Sequence, residues 1–240
     1  MAGSVVGHHS FIWRGHRLDL LPEKALWEPE QRLLLLADLH LGKAECLQAH
    51  GVPIPSDGDI ANIQTLLDLA HRLQPSQVVV LGDLIHGPLG LTAELRQKLQ
   101  ALPELLGCRW RLIDGNHERG SWLEGLPREP ACASGPLWLS HAPDPHQDRL
   151  NICGHLHPVA VVGMGADRLR LPCFVHQRDP DLLVLPSFGQ LTGGHPYDQA
   201  DALWLVADGS VLPYEPPSKT DRLRSGWDTR QGQRNGRLKP

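Results

Sequence analysis

Apolar runs recur along the first two thirds of the chain, and each breaks into polar residues at its C-terminal end. Four leucines in RLLLLADLH lead to Asp38 and His40, and the β-branched run in QVVVLGDLIH leads to Asp83. RWRLIDGNHE leads to Asn116 and His117, PLWLSH ends at His141, and LNICGHLH ends at His155 and His157. Short runs rich in Val, Ile and Leu, bounded by glycine, read as buried strands. Between them the apolar spacing turns helical. SDGDIANIQTLLDLAHRL opens at the N-cap candidate Ser56 and repeats Ile60, Ile63, Leu66, Leu67 and Ala70, while TAELRQKLQAL opens at Thr92 and is expected to stop near Pro103. The order strand, helix, strand, helix, strand predicts parallel crossovers in part of a sheet. Further strands are expected at DLLVLPS and ADALWLVAD, so the chain reads as one α/β domain over residues 1–215.

Composition changes this picture little. At 240 residues, 41% hydrophobic and 21% charged, the chain is long enough to bury a real core. Its five cysteines are odd in number, widely spaced and contain no C-x-x-C, which argues against a disulfide framework and a thiolate zinc site and favours a reducing, cytoplasmic setting. No apolar run approaches the roughly 20 residues that cross a bilayer, and the N-terminal stretch lacks the pattern of a secretory signal, so no membrane association is expected. Charge is uneven. Residues 219–240 hold seven basic residues against two acidic ones, a balance of +5, which against −4 for the whole chain leaves −9 for residues 1–218. Residues 216–240 read as a disordered basic tail, either a solubilising segment or an arm that attracts polyphosphate by counterion release.

The polar residues at the strand ends carry the chemistry. In open α/β sheets ligands sit beyond the carboxyl ends of strands. Asp38 and His40 are two apart, so in an extended segment both side chains point the same way, and His155 with His157 repeats that spacing. Asp83, Asn116 and His141 add one side chain each. Two carboxylates, one amide and four imidazoles, with no sulfur, suit manganese first, with iron, zinc or nickel as alternatives. Seven ligands are too many for one tetrahedral zinc, whereas two divalent ions sharing a carboxylate use all seven, with His155 and His157 facing different ions. Each motif alone has a bland alternative, such as a turn at GD or a satisfied core histidine at His141. The ordered string D-x-H, G-D, G-N-H-E, H, G-H-x-H, each at the end of an apolar run, has none as economical.

This string resembles the calcineurin-like metallophosphoesterases, from ADLHLGK through LGDLIHG, DGNHE and SHAP to CGHLHP, about residues 36–158. The resemblance implies a two-sheet sandwich flanked by helices. It also implies that Asp38, His40, Asp83 and His157 hold one ion, and Asp83, Asn116, His141 and His155 the other. LLPEKALWEPEQRLLLLADLHLGKAE, HGVPIPSD and LPSFGQLTGG further resemble the bacterial ligase-associated DNA damage response endonucleases, over about residues 15–207. The intervals between motifs leave no room for a large cap domain, and an open groove suits a polymer. That narrower resemblance implies DNA as substrate, single- or double-stranded, and DNA repair proteins such as a ligase or helicase as partners.

Two cations about 3.5–4 Å apart clamp phosphate oxygens and acidify a bridging water. His117, beside Asn116, is the expected proton donor to the leaving oxygen, its reference pKa of about 6.5 suiting that task. Glu118 is expected to orient His117 or hold it protonated, or else to be an exposed carboxylate. His86 either reaches the substrate phosphate or caps its loop, and Arg119 is a weaker candidate for phosphate contact. A metal-dependent DNA endonuclease is the leading reading; a phosphatase or phosphodiesterase for small nucleotides and a non-enzymatic scaffold are the alternatives.

Overall fold

The computed structural model describes residues 7–119, 127–163, 167–197 and 200–216. Most of the basic tail therefore lies outside the described residues. Strands β1 (His9–Trp13), β2 (His16–Leu20), β3 (Leu26–Glu28) and β4 (Leu33–Leu36) form an antiparallel meander. Helices α1 (Lys43–Ala49) and α2 (Gly58–Leu73) lead to β5 (Gln77–Val80), and a 3-10 turn at Pro88–Gly90 with α3 (Ala93–Leu106) leads to β6 (Arg109–Leu112). β4, β5 and β6 are mutually parallel, as the helical crossovers require, and complete a six-stranded sheet in chain order.

The second sheet holds β7 (Cys132–Ser134), β8 (Leu137–Leu139), β9 (Leu150–Cys153), β10 (Pro158–Val162), β11 (Leu169–Arg178), β12 (Asp181–Val184), β13 (His195–Pro196), β14 (Ala202–Ala207) and β15 (Ser210–Pro213). Its order is β13-β10-β11-β12-β9-β8-β7, with β14 joined to β11 and β15 to β14. β8, β9 and β12 run parallel, so their C-terminal ends share one edge.

The four leucines of β4 show why its apolar run is continuous. Leu33 and Leu35 face the sandwich interior with Val79, Leu81, Leu139, Ile152, Phe174 and Leu183. Leu34 and Leu36 face the other way, against Leu66, Leu69 and Ala70 of α2 and Leu95, Leu99, Leu102 and Leu106 of α3. A strand buried on both faces has no polar side to show, and each fully buried leucine contributes roughly 1.5–3 kcal/mol. The expected sandwich is present; among the described residues α2 and α3 pack on the first sheet, no cap domain is inserted, and no helix is long and apolar enough to cross a membrane.

Two helix boundaries differ from expectation. α2 starts at Gly58 without a side-chain cap, because the Ser56 hydroxyl accepts a hydrogen bond from Gln48 Nε2 at 2.9 Å instead; Ile60, expected on its apolar face, is 56% exposed. α3 does start at Thr92, whose hydroxyl accepts from Leu95 N–H at 3.1 Å. It continues through Pro103 to Leu106 and stops at Gly107, φ 62°. Proline inside a helix costs about 3 kcal/mol, and burial of Leu102 and Leu106 on the far side of it offsets that penalty.

Candidate metal centre

The strand ends of both sheets meet at one edge, and hydrogen bonds sew them together. Asp38 N–H donates to the Gly82 carbonyl at 3.2 Å, His40 N–H to the Asp83 carbonyl at 2.9 Å, and Gly154 N–H to the His141 carbonyl at 2.9 Å. Asp38 Oδ2 accepts from His155 N–H at 2.8 Å, and the Asp38 carbonyl accepts from Ser187 Oγ at 2.7 Å. Asp83 Oδ1 accepts from His117 N–H at 3.0 Å. Seven side chains that lie far apart in sequence thus share one small volume.

Their backbone is not the extended one that the two-residue spacing suggested. Asp38, His40, Asp83, His155 and His157 have φ of 57°, 47°, 50°, 67° and 44°, all left-handed. Asp and His tolerate this region better than most residues, yet each such residue still costs of order 1 kcal/mol or more. The turn aims each side chain off the sheet edge, where continued strand would aim it into the core. Close glycines permit it: a Cβ on Gly154 would lie 2.4 Å from Asp38 Oδ2, and one on Gly115 2.4 Å from Asp83 N.

Among the described residues three ligand-like sets have donor atoms within 4.8 Å of one another; His40, His86 and His117 form one without a carboxylate, and the two with one are Asp38, His40 and His157, and Asp83, His141 and His155. Asp83 reaches toward both, with Oδ2 3.8 Å from His40 Nε2 and Oδ1 3.4 Å from His141 Nε2. Asn116 joins the second set, its Oδ1 2.8 Å from His141 Nε2. His141 Nδ1 lies 2.9 Å from the Leu81 carbonyl, which can only accept, so Nδ1 carries the proton and Nε2 presents a lone pair. That lone pair faces Asn116 Oδ1, Asp83 Oδ1 and, at 3.1 Å, His155 Nδ1. Asp38 Oδ1 is buried without any hydrogen-bond partner, 3.5 Å from His157 Nε2. Acceptors facing acceptors in a buried place are unfavourable without a cation between them, so this donor set fits divalent metal ions.

Burial, then the charges of His117, His157, Lys43 and His86, pull His40 down to about 2. Burial first, then Lys43 and His117, brings His86 down to about 4, and burial lowers His155. Imidazoles held neutral keep the lone pairs that ligation needs.

The residues around this set divide. His117 stacks on His86, ring centroids 5.0 Å apart, and its Nδ1 donates to the His86 carbonyl, leaving Nε2 3.8 Å from Asp83 Oδ2. Glu118 is neither exposed nor bonded to the His117 ring. It is fully buried, and its two oxygens accept from Asp83 N–H at 2.9 Å and Ile85 N–H at 3.1 Å. Burial, against those two bonds and with the neighbouring Asp83, raises its pKa. The carboxylate thus holds the left-handed turn of Asp83, a role its sequence neighbour Asn116 could not suggest. Arg119 is exposed. Lys43, passed over in the sequence, acts electrostatically on both His40 and His86; the GK that closes ADLHLGK was its only signal.

A profile of the calcineurin-like phosphoesterase family matches residues 31–163, which include all seven of these side chains. Among solved structures, the nuclease MPE of Pseudomonas putida is 32% identical, with 86% of this chain and 100% of that chain covered and a TM-score of 0.72. Yfce, a phosphoesterase from E. coli, is 17% identical over 75% of this chain and 96% of its own, with a TM-score of 0.42. A Vps29 double mutant from Entamoeba histolytica is 15% identical over 76% and 99%, with a TM-score of 0.35. No curated protein matches the sequence.

Proposed function

The chain belongs to the calcineurin-like phosphoesterase family, and on that premise we propose that it hydrolyses phosphodiester bonds of DNA internally, using two divalent metal ions. The observation that carries the metal reading is Asp38 Oδ1, buried and without a donor among lone-pair-bearing side chains. Asp38, His40 and His157 would hold one ion and Asn116, His141 and His155 the other, with Asp83 placed to serve both. Bound there, divalent ions supply positive charge to the phosphate oxygens and acidify a water toward neutrality. Manganese suits this nitrogen and oxygen set, with iron, zinc or nickel as alternatives.

The protein's own groups do the rest. With Nδ1 committed to the His86 carbonyl, His117 carries its exchangeable proton on Nε2, the atom facing the shared Asp83, and gives it to the leaving oxygen. With Nε2 as its ligand atom, His40 would carry its proton on Nδ1 and donate it to His86 Nδ1, 3.3 Å away. His86 is thereby fixed with its proton on Nε2, a neutral donor for a phosphate oxygen. Glu118 keeps Asp83 in place.

DNA as the substrate rests on the nuclease relative and on the flanking motifs, which also suggest work in repair beside a ligase or helicase. The test is digestion of circular single-stranded DNA, duplex DNA, RNA and mononucleotides with manganese present, Asp83→Ala serving as control. Linearised circles with the wild type and intact circles with the variant are expected. Mononucleotide hydrolysis with every circle intact would move the protein to the small-nucleotide reading.

A further inference from the structure

Lys24 and Arg170 flank the metal centre without a task in the chemistry above. β2 and β4 both run antiparallel to β3, so the turn after β2 lies at the same sheet edge as Asp38 and His40. Lys24 stands in that turn, partly exposed. Its ammonium donates to the Gly189 carbonyl at 3.4 Å, and Gly189 N–H donates in turn to the Asp38 carbonyl at 3.1 Å.

On the other side the β10–β11 hairpin rises past that edge. β12 ends at Val184, paired with Val175, whereas β10 pairs with Leu169–Pro172, further toward the start of β11. Arg170 belongs to this raised part. By strand alternation it shares the face of Phe174, which packs in the sandwich interior, while Cys173 and Val175 turn outward. Beyond the edge, that face looks over the ligand set. The exposed Arg170 guanidinium donates to the Gly194 carbonyl.

One loop joins the two cations. Residues 189–194 begin against Asp38 and end against His157. A Cβ on Gly189 would lie 2.3 Å from the Leu39 carbonyl oxygen, and one on Gly194 2.6 Å from that of His157. His195 N–H then donates to the His157 carbonyl at 2.9 Å. Lys24 and Arg170 thus mark the two ends of a rim along the set of Asp38, His40 and His157. Among the described residues neither pairs with a carboxylate, and each bonds a neutral carbonyl of the loop. Lysine carries three donors and arginine five, so both keep their charge and donors for a further acceptor.

We propose that Lys24 binds the phosphate on one side of the scissile one and Arg170 the phosphate on the other, so that a nucleic-acid strand lies along the rim of residues 189–194. The inference rests on the nuclease reading, because it leaves the scissile phosphate to the metal centre and His117. It also accounts for cleavage within a strand, since both flanking phosphates are held.

The experiment compares kcat/KM of the wild type, Lys24→Met, Lys24→Arg, Arg170→Gln and Arg178→Gln, at equal manganese content, on a single-stranded oligonucleotide and on a chromogenic diester with one phosphate. For Lys24→Met and for Arg170→Gln the fall on the oligonucleotide should exceed the fall on the diester by about tenfold, one charge-assisted phosphate contact each. Each should also lower the salt slope on the oligonucleotide by about 0.7, and Lys24→Arg should keep most of both. Arg178→Gln removes an equal charge at the opposite end of β11 and should alter neither the ratio nor the slope. Equal losses on the two substrates, an effect confined to one of the two cations, or a matching effect of Arg178→Gln would overturn the rim while leaving the nuclease reading intact. A wild type that cleaves the diester and spares the oligonucleotide would sink the nuclease reading itself, and the rim with it.

Discussion

Two clusters of histidine and aspartate lie at opposite ends of β12. At its start, Asp181 accepts from Trp13 Nε1–H at 2.8 Å and sits 3.1 Å from His176 Nε2, inside strands of ordinary backbone. Every oxygen there has a donor. Beyond its other end the same residue types face one another with the donors missing: Asp38 Oδ1 has none, and His40 Nε2 stands 3.4 Å from His157 Nε2. Five of those side chains also sit on left-handed backbone. What separates a candidate metal centre from a structural polar cluster is therefore mutual dissatisfaction held in a strained frame, and counting histidines would not tell the two apart.

Removing the shared carboxylate should break the comparison most severely. Asp83→Ala removes the carboxylate that reaches toward both ligand-like sets, so turnover of a chromogenic phosphodiester with manganese should fall by about a thousandfold or more. Manganese should raise the melting temperature of the wild type and leave that of the variant where it was. Retained turnover would mean that the two sets do not act through a shared carboxylate. His117→Ala should cost about 10²–10⁴-fold on DNA, and far less on a diester whose leaving group needs no proton. Equal losses on both substrates would remove its role as proton donor.

Glu118 tests whether the frame matters as well as the ligands. Glu118→Gln keeps one acceptor for the N–H groups of Asp83 and Ile85 and turns the other into a donor facing a donor. Manganese affinity, read by calorimetric titration, should weaken about 10–100-fold, with activity largely recovered at saturating manganese. An unchanged affinity would show that the left-handed turn of Asp83 stands without its carboxylate clamp.

Much of this was legible in the sequence, for identifiable reasons. Leu33–Leu36 and Gln77–Val80 announce themselves because strands buried on both faces must be apolar throughout, and the polar residue ending each run marks the sheet edge. The direction of those polar residues was not legible. Extended spacing puts Asp38 and His40 on one side, whereas their left-handed turns depend on Gly154 and on hydrogen bonds that their N–H groups donate to the Gly82 and Asp83 carbonyls, contacts made across the fold. The burial of Glu118 likewise depends on a loop 33–35 residues earlier. β1, with alternately exposed residues, and α1, seven residues held against the 3-10 turn, carry too little periodicity to be read alone.

At the satisfied cluster the effects should be thermodynamic only. Asp181→Ala strands Trp13 Nε1–H, on a ring only 6% exposed, and His176 Nε2, so stability should drop by about 1–3 kcal/mol. That is a lowering of the melting temperature by roughly 2–4 °C per kcal/mol for a chain of this size. Manganese affinity and kcat should stay at the wild-type level. A loss of metal binding in Asp181→Ala would mean the two clusters are coupled through β12, and the contrast between them would fail.

The smallest effect concerns how far the dissatisfaction spreads along the site edge. Lys24 lies in the β2–β3 turn at that edge, where its ammonium donates to the Gly189 carbonyl at a long 3.4 Å. Burial pulls it from the usual 10.5 to about 8. Between those values the unfolded chain binds the proton that the folded chain has released, so folding stability should rise with pH across that window. Below about pH 8 both states are charged and the burial penalty is felt in full. Lys24→Met removes the penalty, so its melting temperature should exceed that of the wild type below about pH 8, and the gap should close as pH approaches 10.5. A gap independent of pH would place Lys24 with the satisfied groups, and confine the unbalanced polar atoms to the metal-ligand set and its immediate rim.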